Sequence, residues 1–132
     1  MNLVAKTLAA ALLALAATFQ PAHTQVTRDN FERAHIAIMS ASSRASKVAH
    51  VGSVPSVTVI NLRMRVMRFN LEYDPAALQI SAAKNSAGIA KLRSALSHNP
   101  ATRNALARKG IAISRVVGVE VYSNGALRVY VL

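Results

Sequence analysis

The sequence feature that most constrains this fold is an uncharged apolar segment close to the amino terminus. Residues 7–19 read TLAAALLALAATF, and Lys6 precedes them. This length suits the hydrophobic region of a secretory signal peptide and falls short of the ~20 residues that a bilayer-spanning helix needs. Pro21 then ends the helix, and small residues around Thr24 suit cleavage after that position. We therefore predict that residues 1–24 are a cleavable signal peptide and that the product is periplasmic or secreted.

Cleavage would leave 108 of the 132 residues, which is the size of one domain with a modest core. The sequence contains no cysteine, which excludes disulfide bonds and the lipid-bearing cysteine of a bacterial lipoprotein. Stability must therefore come from packing alone. A buried helix of a cytosolic domain is the alternative for the apolar segment. Its position at the amino terminus, its Ala/Leu monotony and its lack of a polar stripe favour the signal peptide.

The chain is strongly basic. It has 16 Lys and Arg residues against five Asp and Glu residues, and its formal net charge is +11 at pH 7. Loss of Lys6 with the signal peptide leaves +10. Such a charge attracts anionic polymers and surfaces, including nucleic acid, lipopolysaccharide, teichoic acid and acidic lipid, without sequence-specific recognition. The basic residues never form a run of five, so a charge that serves only solubility is the alternative interpretation.

Residues 25–53 are polar and rich in Ala and Ser. Phe31, Ala34 and Ile38 recur at helical spacing, which predicts a helix over 28–47. The apolar face of this helix is small, so a partly disordered leader is the alternative. The compact α+β domain is assigned to the residues that follow, 54–132.

A strand is predicted at the start of that domain. Apolar positions alternate there with polar and basic ones, Ile60, Leu62, Met64 and Val66 against Asn61, Arg63 and Arg65. This period of two predicts a strand over 57–66 with one wet, basic face. The phase changes at Met67, so a β-bulge in the strand and a helix over 61–72 both remain open.

Two helices are predicted in the middle of the domain. Asp74-Pro75 pairs a preferred cap with a proline suited to the first helical position. An inward stripe then predicts a long helix over 75–98, with a weak point at Asn85-Ser86, and its members are Leu78, Ala82, Asn85, Ile89, Leu92 and Leu96. Asn99-Pro100 starts a short helix in the same way, and that helix ends at Gly110.

The carboxyl-terminal segment predicts a β-hairpin around Asn124-Gly125, because apolar residues alternate on both sides of it: Val117, Val119 and Val121, then Leu127, Val129 and Val131. A two-residue turn would pair Tyr122 with Leu127 and mix the two faces. A three-residue loop over 123–125 pairs Tyr122 with Ala126 and puts all six apolar residues on one face. The three-residue loop is therefore predicted, with Glu120 opposite Arg128 on a wet face.

The predicted fold class is α+β. A strand, a long helix, a short helix and the carboxyl-terminal hairpin would form a small antiparallel sheet packed on helices. The basic face of that sheet would carry the candidate anion-binding residues, Arg63, Arg65 and Arg128.

No motif for catalysis, a cofactor or a metal is present, so no cofactor is expected. The histidines that remain after cleavage, His35, His50 and His98, do not have metal-ligand spacing. Asp74 is better explained as a helix cap than as half of a catalytic acid pair with Glu72. No serine lies in a G-x-S-x-G turn, and the glycines are too isolated for a phosphate-binding loop.

Three segments of the carboxyl-terminal half read LRSALSHNP, ALARKG and VVGVEVYSNGALRVYVL. Over residues 89–132 the chain resembles small exported proteins of alphaproteobacteria that have no assigned function. The resemblance implies export and a compact helix-plus-hairpin unit, and it transfers no catalytic position. Two function hypotheses follow. The first is a basic, non-enzymatic exported protein that binds an anionic polymer or a partner protein. The second is a small hydrolase or enzyme inhibitor whose site forms only in a complex.

Overall fold

The computed structural model describes residues 28–63 and 75–132. Within them lie five α-helices, one 3₁₀ turn and three strands: α1 (Arg28–Met39), α2 (Ala41–Ala49), β1 (Val57–Asn61), α3 (Pro75–Lys84), α4 (Ser86–His98), α5 (Pro100–Arg108), the 3₁₀ turn (Ile113–Arg115), β2 (Val116–Val121) and β3 (Leu127–Val131). Helices around a small sheet confirm the predicted α+β class. The predicted signal peptide, Asp74, Arg65 and the open segment 67–72 lie outside the described residues.

The sheet has the strand order β1-β3-β2. β2 and β3 are antiparallel, as the hairpin requires, whereas β1 is parallel to β3, with Val59 opposite Val129. The prediction of a wholly antiparallel sheet is therefore wrong for β1. A parallel pair needs a connection of a dozen or more residues, and the chain between β1 and β3 is long enough to return in either direction. The alternation of apolar residues shows which positions face inward, but it does not encode strand direction.

The predicted register is confirmed near the turn, but at the far end of the hairpin a β-bulge between Val116 and Gly118 places Val116, in place of Val117, opposite Val131. Glu120 lies opposite Arg128. The Tyr122 N–H donates to the Ala126 carbonyl at 2.9 Å, and the Gly125 N–H donates to the Tyr122 carbonyl at 2.9 Å. Gly125 has a φ of 89°, the left-handed conformation that the three-residue loop requires.

The predicted long helix is divided at its weak point, because α3 ends at Lys84 and α4 begins at Ser86. The Asn85 side chain at the break donates from Nδ2 to the Ile38 carbonyl at 2.6 Å, which ties the α3–α4 junction to the end of α1.

Asn99 performs the predicted capping role at the start of α5, because its Oδ1 accepts from the Ala101 N–H at 3.0 Å. Its Nδ2 also donates to the carbonyls of Val48 and Val51, each at 2.8 Å, so the cap fastens α5 to the end of α2.

Residues 25–53, which the sequence analysis separates as a leader, contain α1 and α2. The two helices meet at Ser40, whose hydroxyl donates to the Ile36 carbonyl at 2.6 Å. Their buried side chains belong to the same hydrophobic core as those of the sheet and of α4: Ala34, Ala37, Ile38, Ala41 and Val48. None of the helices in the described residues has the length and apolarity that a bilayer crossing requires.

Strand β1 is shorter than predicted: it ends at Asn61, whereas the predicted strand ends at residue 66. In the turn that follows, the Asn61 Oδ1 accepts from the Arg63 N–H at 3.0 Å, while the Leu62 N–H still donates to the Val131 carbonyl at 2.9 Å. Leu62 is still buried, as its alternation with Ile60 predicts.

The face of the hairpin predicted to be wet is largely covered. Tyr130 on that face is fully buried, and the side chains of Glu120 and Arg128 are only 19% and 16% exposed. Gly118, on the same face, approaches α1 so closely that a Cβ atom there would lie 2.9 Å from the Ala37 Cβ. The prediction of a wet face is therefore wrong, because α1 packs on it and the pattern of the hairpin alone does not show that helix.

Candidate functional site

A polar network of the described structure is built around the carboxylate of Glu120 on β2. Arg33 of α1 donates to it twice, from Nε at 3.2 Å and from Nη2 at 3.1 Å. The Tyr130 hydroxyl donates to Oε2 at 3.2 Å, and Arg128 Nη1 lies 4.0 Å from the same oxygen. Arg33 Nη2 also donates to the Tyr122 hydroxyl at 3.0 Å. This Glu120 network joins α1 to both strands of the hairpin.

Two donors of the Glu120 network, Arg33 and Tyr130, have raised pKa values. The hydrogen bond to Glu120 raises the pKa of Arg33 above its usual value. Burial, followed by the Glu120 charge, raises the pKa of Tyr130 well above its usual range. Both groups are therefore held as hydrogen-bond donors to the Glu120 carboxylate.

The structure describes two of the three candidate anion-binding arginines, Arg63 and Arg128, and it places these two at opposite ends of β1. Arg128 belongs to the Glu120 network and lies opposite Thr58, near the start of β1. Arg63 is exposed in the turn beyond the other end of β1. Arg65 lies outside the described residues.

A different part of the surface combines cations with an apolar cavity. This cavity, of about 280 Å³, lies between the end of α5, the 3₁₀ turn and the strands β1 and β3. Its apolar wall is formed by Val59, Ile111 and Val131, and Lys109 and Arg115 flank it. We call it the α5 cavity.

The end of α5 positions one side of this cavity. The Ile111 N–H donates to the Leu106 carbonyl at 3.0 Å, and the Gly110 N–H donates to the Ala107 carbonyl at 3.0 Å. Together with a φ of 68° at Gly110, these bonds form a Schellman motif. The motif turns the chain so that Ile111 packs against the core while Lys109 stays exposed.

The 3₁₀ turn positions the second cation. The Arg115 N–H donates to the Ala112 carbonyl at 3.0 Å, and Arg115 Nε donates to the Leu132 carbonyl at 3.2 Å. Arg115 is otherwise exposed. Within the described part of the chain neither Lys109 nor Arg115 lies within ion-pairing distance of an Asp or Glu side chain, although the Leu132 oxygen already accepts one N–H of Arg115.

The sequence pattern predicts the end of the short helix at Gly110 and singles out neither Lys109 nor Arg115 as a binding residue. Gly110 signals where α5 ends, but it does not show what the helix end meets. The cavity joins β1, the α5 end and β3, which are far apart in the chain and carry no shared local motif. In the described ranges, no group of three or more His, Cys, Asp or Glu residues is arranged to hold a metal ion.

Comparison of the chain with protein-family models, curated proteins and solved structures finds no match. The function of the chain must therefore be inferred from its own residues.

Proposed function

We propose that this protein is an exported, non-enzymatic binding protein that takes an anionic polymer on a basic surface. One observation carries the proposal. Residues 75–132 contain eight Lys and Arg residues but a single acidic residue, Glu120, which is already held by Arg33 and Tyr130. The positive charge of this half of the chain is thus barely compensated from within, and it attracts polyanions from solution.

The contact surface is placed at the end of α5. Arg108 and Lys109 are exposed at the end of that helix, and Arg115 is exposed on the α5 cavity that Lys109 also lines. We call these three residues the basic corner. Arg128, by contrast, is largely buried and lies 4.0 Å from the Glu120 carboxylate. It is therefore less able to contact a polymer.

The basic corner is tested by retention on duplex DNA, which serves as a polyanion of known charge density. Each cationic contact to phosphate contributes about 0.9 to the slope of log affinity against log salt. Replacing Arg108, Lys109 and Arg115 by Gln is therefore expected to lower that slope by up to about 2.7.

The matched control replaces Lys47, Lys84 and Lys91 by Gln, since all three are exposed and the loss of charge is the same. The control triple is expected to lower the slope of log affinity against log salt by less than the basic-corner triple does. Equal losses from the two triples would show that only net charge matters. An Arg63→Gln variant measures the contribution of the exposed member of the sequence-predicted patch.

Export is the second part of the proposal, and it rests on the apolar segment at residues 7–19 and the cleavage position after Thr24. Material recovered from the periplasm or the medium is expected to have its amino terminus within a few residues of Gln25. Amino-terminal sequencing or intact mass measures this directly. Exported protein that still carries Met1 would refute the signal peptide.

A further inference from the structure

We propose that the α5 cavity binds the apolar chain of an amphiphilic anion, an unbranched alkyl group ending in one negative charge. The inference rests on the proposed function, because it uses two cations of the basic corner. It adds that the ligand is not purely hydrophilic. Binding would place the chain in the cavity and the charged group between Lys109 and Arg115.

The wall of the cavity supplies the reason for an apolar chain. Val59 and Ile111 are half-buried and Val131 is nearly buried, and all three are aliphatic. A hydrophilic polymer lying across the cavity would leave this wall in contact with water. An alkyl chain removes apolar surface from water on both sides of the contact, which is favourable.

The size of the cavity sets the length of the chain. A volume of about 280 Å³ lies just below the usual range of small-molecule sites, ~300–1,000 Å³. It equals the liquid volume of about nine water molecules at ~30 Å³ each. A straight-chain carboxylate of about eight carbons, with about ten non-hydrogen atoms, is of comparable size.

The rim supplies the reason for an anion. Lys109 and Arg115 are both exposed, they line the same cavity, and among the described residues neither lies within ion-pairing distance of an Asp or Glu side chain. The Lys109 ammonium is a mobile point charge, whereas the Arg115 guanidinium is partly fixed by its bond to the Leu132 carbonyl. A cationic alkyl compound of the same length would be repelled by both.

The experiment is titration calorimetry with butanoate, hexanoate and octanoate, and with octyltrimethylammonium as the charge-reversed control. Each added methylene is expected to lower the Kd about two- to fourfold, where fourfold corresponds to about 0.8 kcal/mol for full burial. Lys109→Gln should weaken octanoate binding, and the octyl cation should not bind. A Kd that is independent of chain length would overturn the proposal.

Two phenylalanine variants separate the cavity from its charge. Ala112 is exposed and lines the cavity, so Ala112→Phe should fill it and abolish octanoate binding. Ala107 is exposed on α5 outside the cavity, so Ala107→Phe should leave octanoate binding unchanged. Similar octanoate binding by the two variants would overturn the proposal.

DNA retention distinguishes this inference from the proposed function. Ala112→Phe keeps all three cations of the basic corner, so its retention should match that of the unmodified protein. If the unmodified protein is retained on DNA through the basic corner but does not bind octanoate, this inference alone fails. If retention does not depend on the basic corner, the proposed function fails and so does the inference that rests on it.

Discussion

Gly118→Val is expected to lower the free energy of unfolding by about 3 kcal/mol, at the upper end of the cost of overpacking a core. An ideal Cβ at this position of β2 would lie 2.9 Å from the Ala37 Cβ, 3.1 Å from the Ala37 carbonyl carbon and 3.2 Å from the Ile38 nitrogen. Two of these three atoms are helix backbone. The glycine is thus required by the close approach of α1 to the sheet.

The clash at Gly118 cannot be relieved cheaply. Ala37 and Ile38 are buried, and the Ile38 carbonyl accepts from Asn85, so α1 is held from the side of α3 as well. The Glu120 network fixes the same helix through Arg33. A shift of α1 would therefore strain contacts beyond the site of the substitution.

Two alanine variants calibrate the effect. Gly118→Ala adds only the methyl group and should cost about 1–3 kcal/mol. Gly52→Ala is the control, since nothing lies within 4 Å of its Cβ position and its φ is outside the left-handed region. This control should be neutral or stabilise by up to about 1 kcal/mol through the unfolded state. Urea unfolding with an unchanged m-value measures all three variants.

A double-mutant cycle identifies the cause. Ala37→Gly removes the nearest atom, so Gly118→Ala should cost less in that background than in the unmodified protein. Costs that add without coupling would show that the Ala37 contact is not what excludes a side chain at residue 118. Full tolerance of Gly118→Val would contradict the close packing of α1 on β2.

The features that sequence reasoning predicted correctly are local ones. The hairpin register follows from turn chemistry at Asn124-Gly125 and from the parity of the residues beside it. The cap at Asn99 and the helix break at Asn85 likewise depend on side chains that compete for backbone groups close in the chain. These signals operate over a few residues, so they do not require knowledge of the tertiary fold.

The features that it missed depend on elements distant in the chain. The parallel pairing of β1 with β3 is decided by the path of the chain between the two strands, which no pattern within β1 records. Burial of the second sheet face is due to α1, although Gly118 and Tyr130 on that face were two available signals. A glycine in a strand often marks a close backbone approach, and a large aromatic residue on a wet face is unusual.

The α5 cavity was invisible to sequence reasoning for a related reason. Val59, Lys109 and Val131 each have an ordinary local explanation, as strand or helix-end residues. Only the folded arrangement places an aliphatic wall beside two exposed cations. A binding site of this kind has no spacing rule, in contrast to a metal site or a phosphate-binding loop.

Glu120→Ala is expected to cost at least as much as Val119→Ala, which reverses the order that the sequence suggests. An exposed cross-strand pair would be worth at most ~1 kcal/mol. In the structure, however, the loss of Glu120 leaves the hydroxyl of the fully buried Tyr130 without its partner and leaves the largely buried Arg128 without its nearest carboxylate. Unsatisfied groups of this kind cost ~1–3 kcal/mol each.

Val119→Ala supplies the comparison, because Val119 is fully buried on the opposite face of the same strand. Removing its two methyl groups should cost roughly 2 kcal/mol, between the ranges for Ile→Val and Leu→Ala. Glu120→Gln keeps one acceptor oxygen but removes the charge. The free energy of unfolding of Glu120→Gln should lie between those of the unmodified protein and of Glu120→Ala, because the amide oxygen can still accept a hydrogen bond while the ion pair is lost.

The Tyr130→Phe background tests whether the orphaned hydroxyl is the cause. Without that hydroxyl, Glu120→Ala should cost about 1 kcal/mol less than it does in the unmodified protein, since one fewer buried donor is left unpaired. Chemical unfolding of the four proteins of this cycle gives the coupling free energy. A cost for Glu120→Ala below 1 kcal/mol, together with no coupling to Tyr130, would mean that the Glu120 network contributes no more than a surface pair and that α1 is held to the hairpin by apolar packing alone.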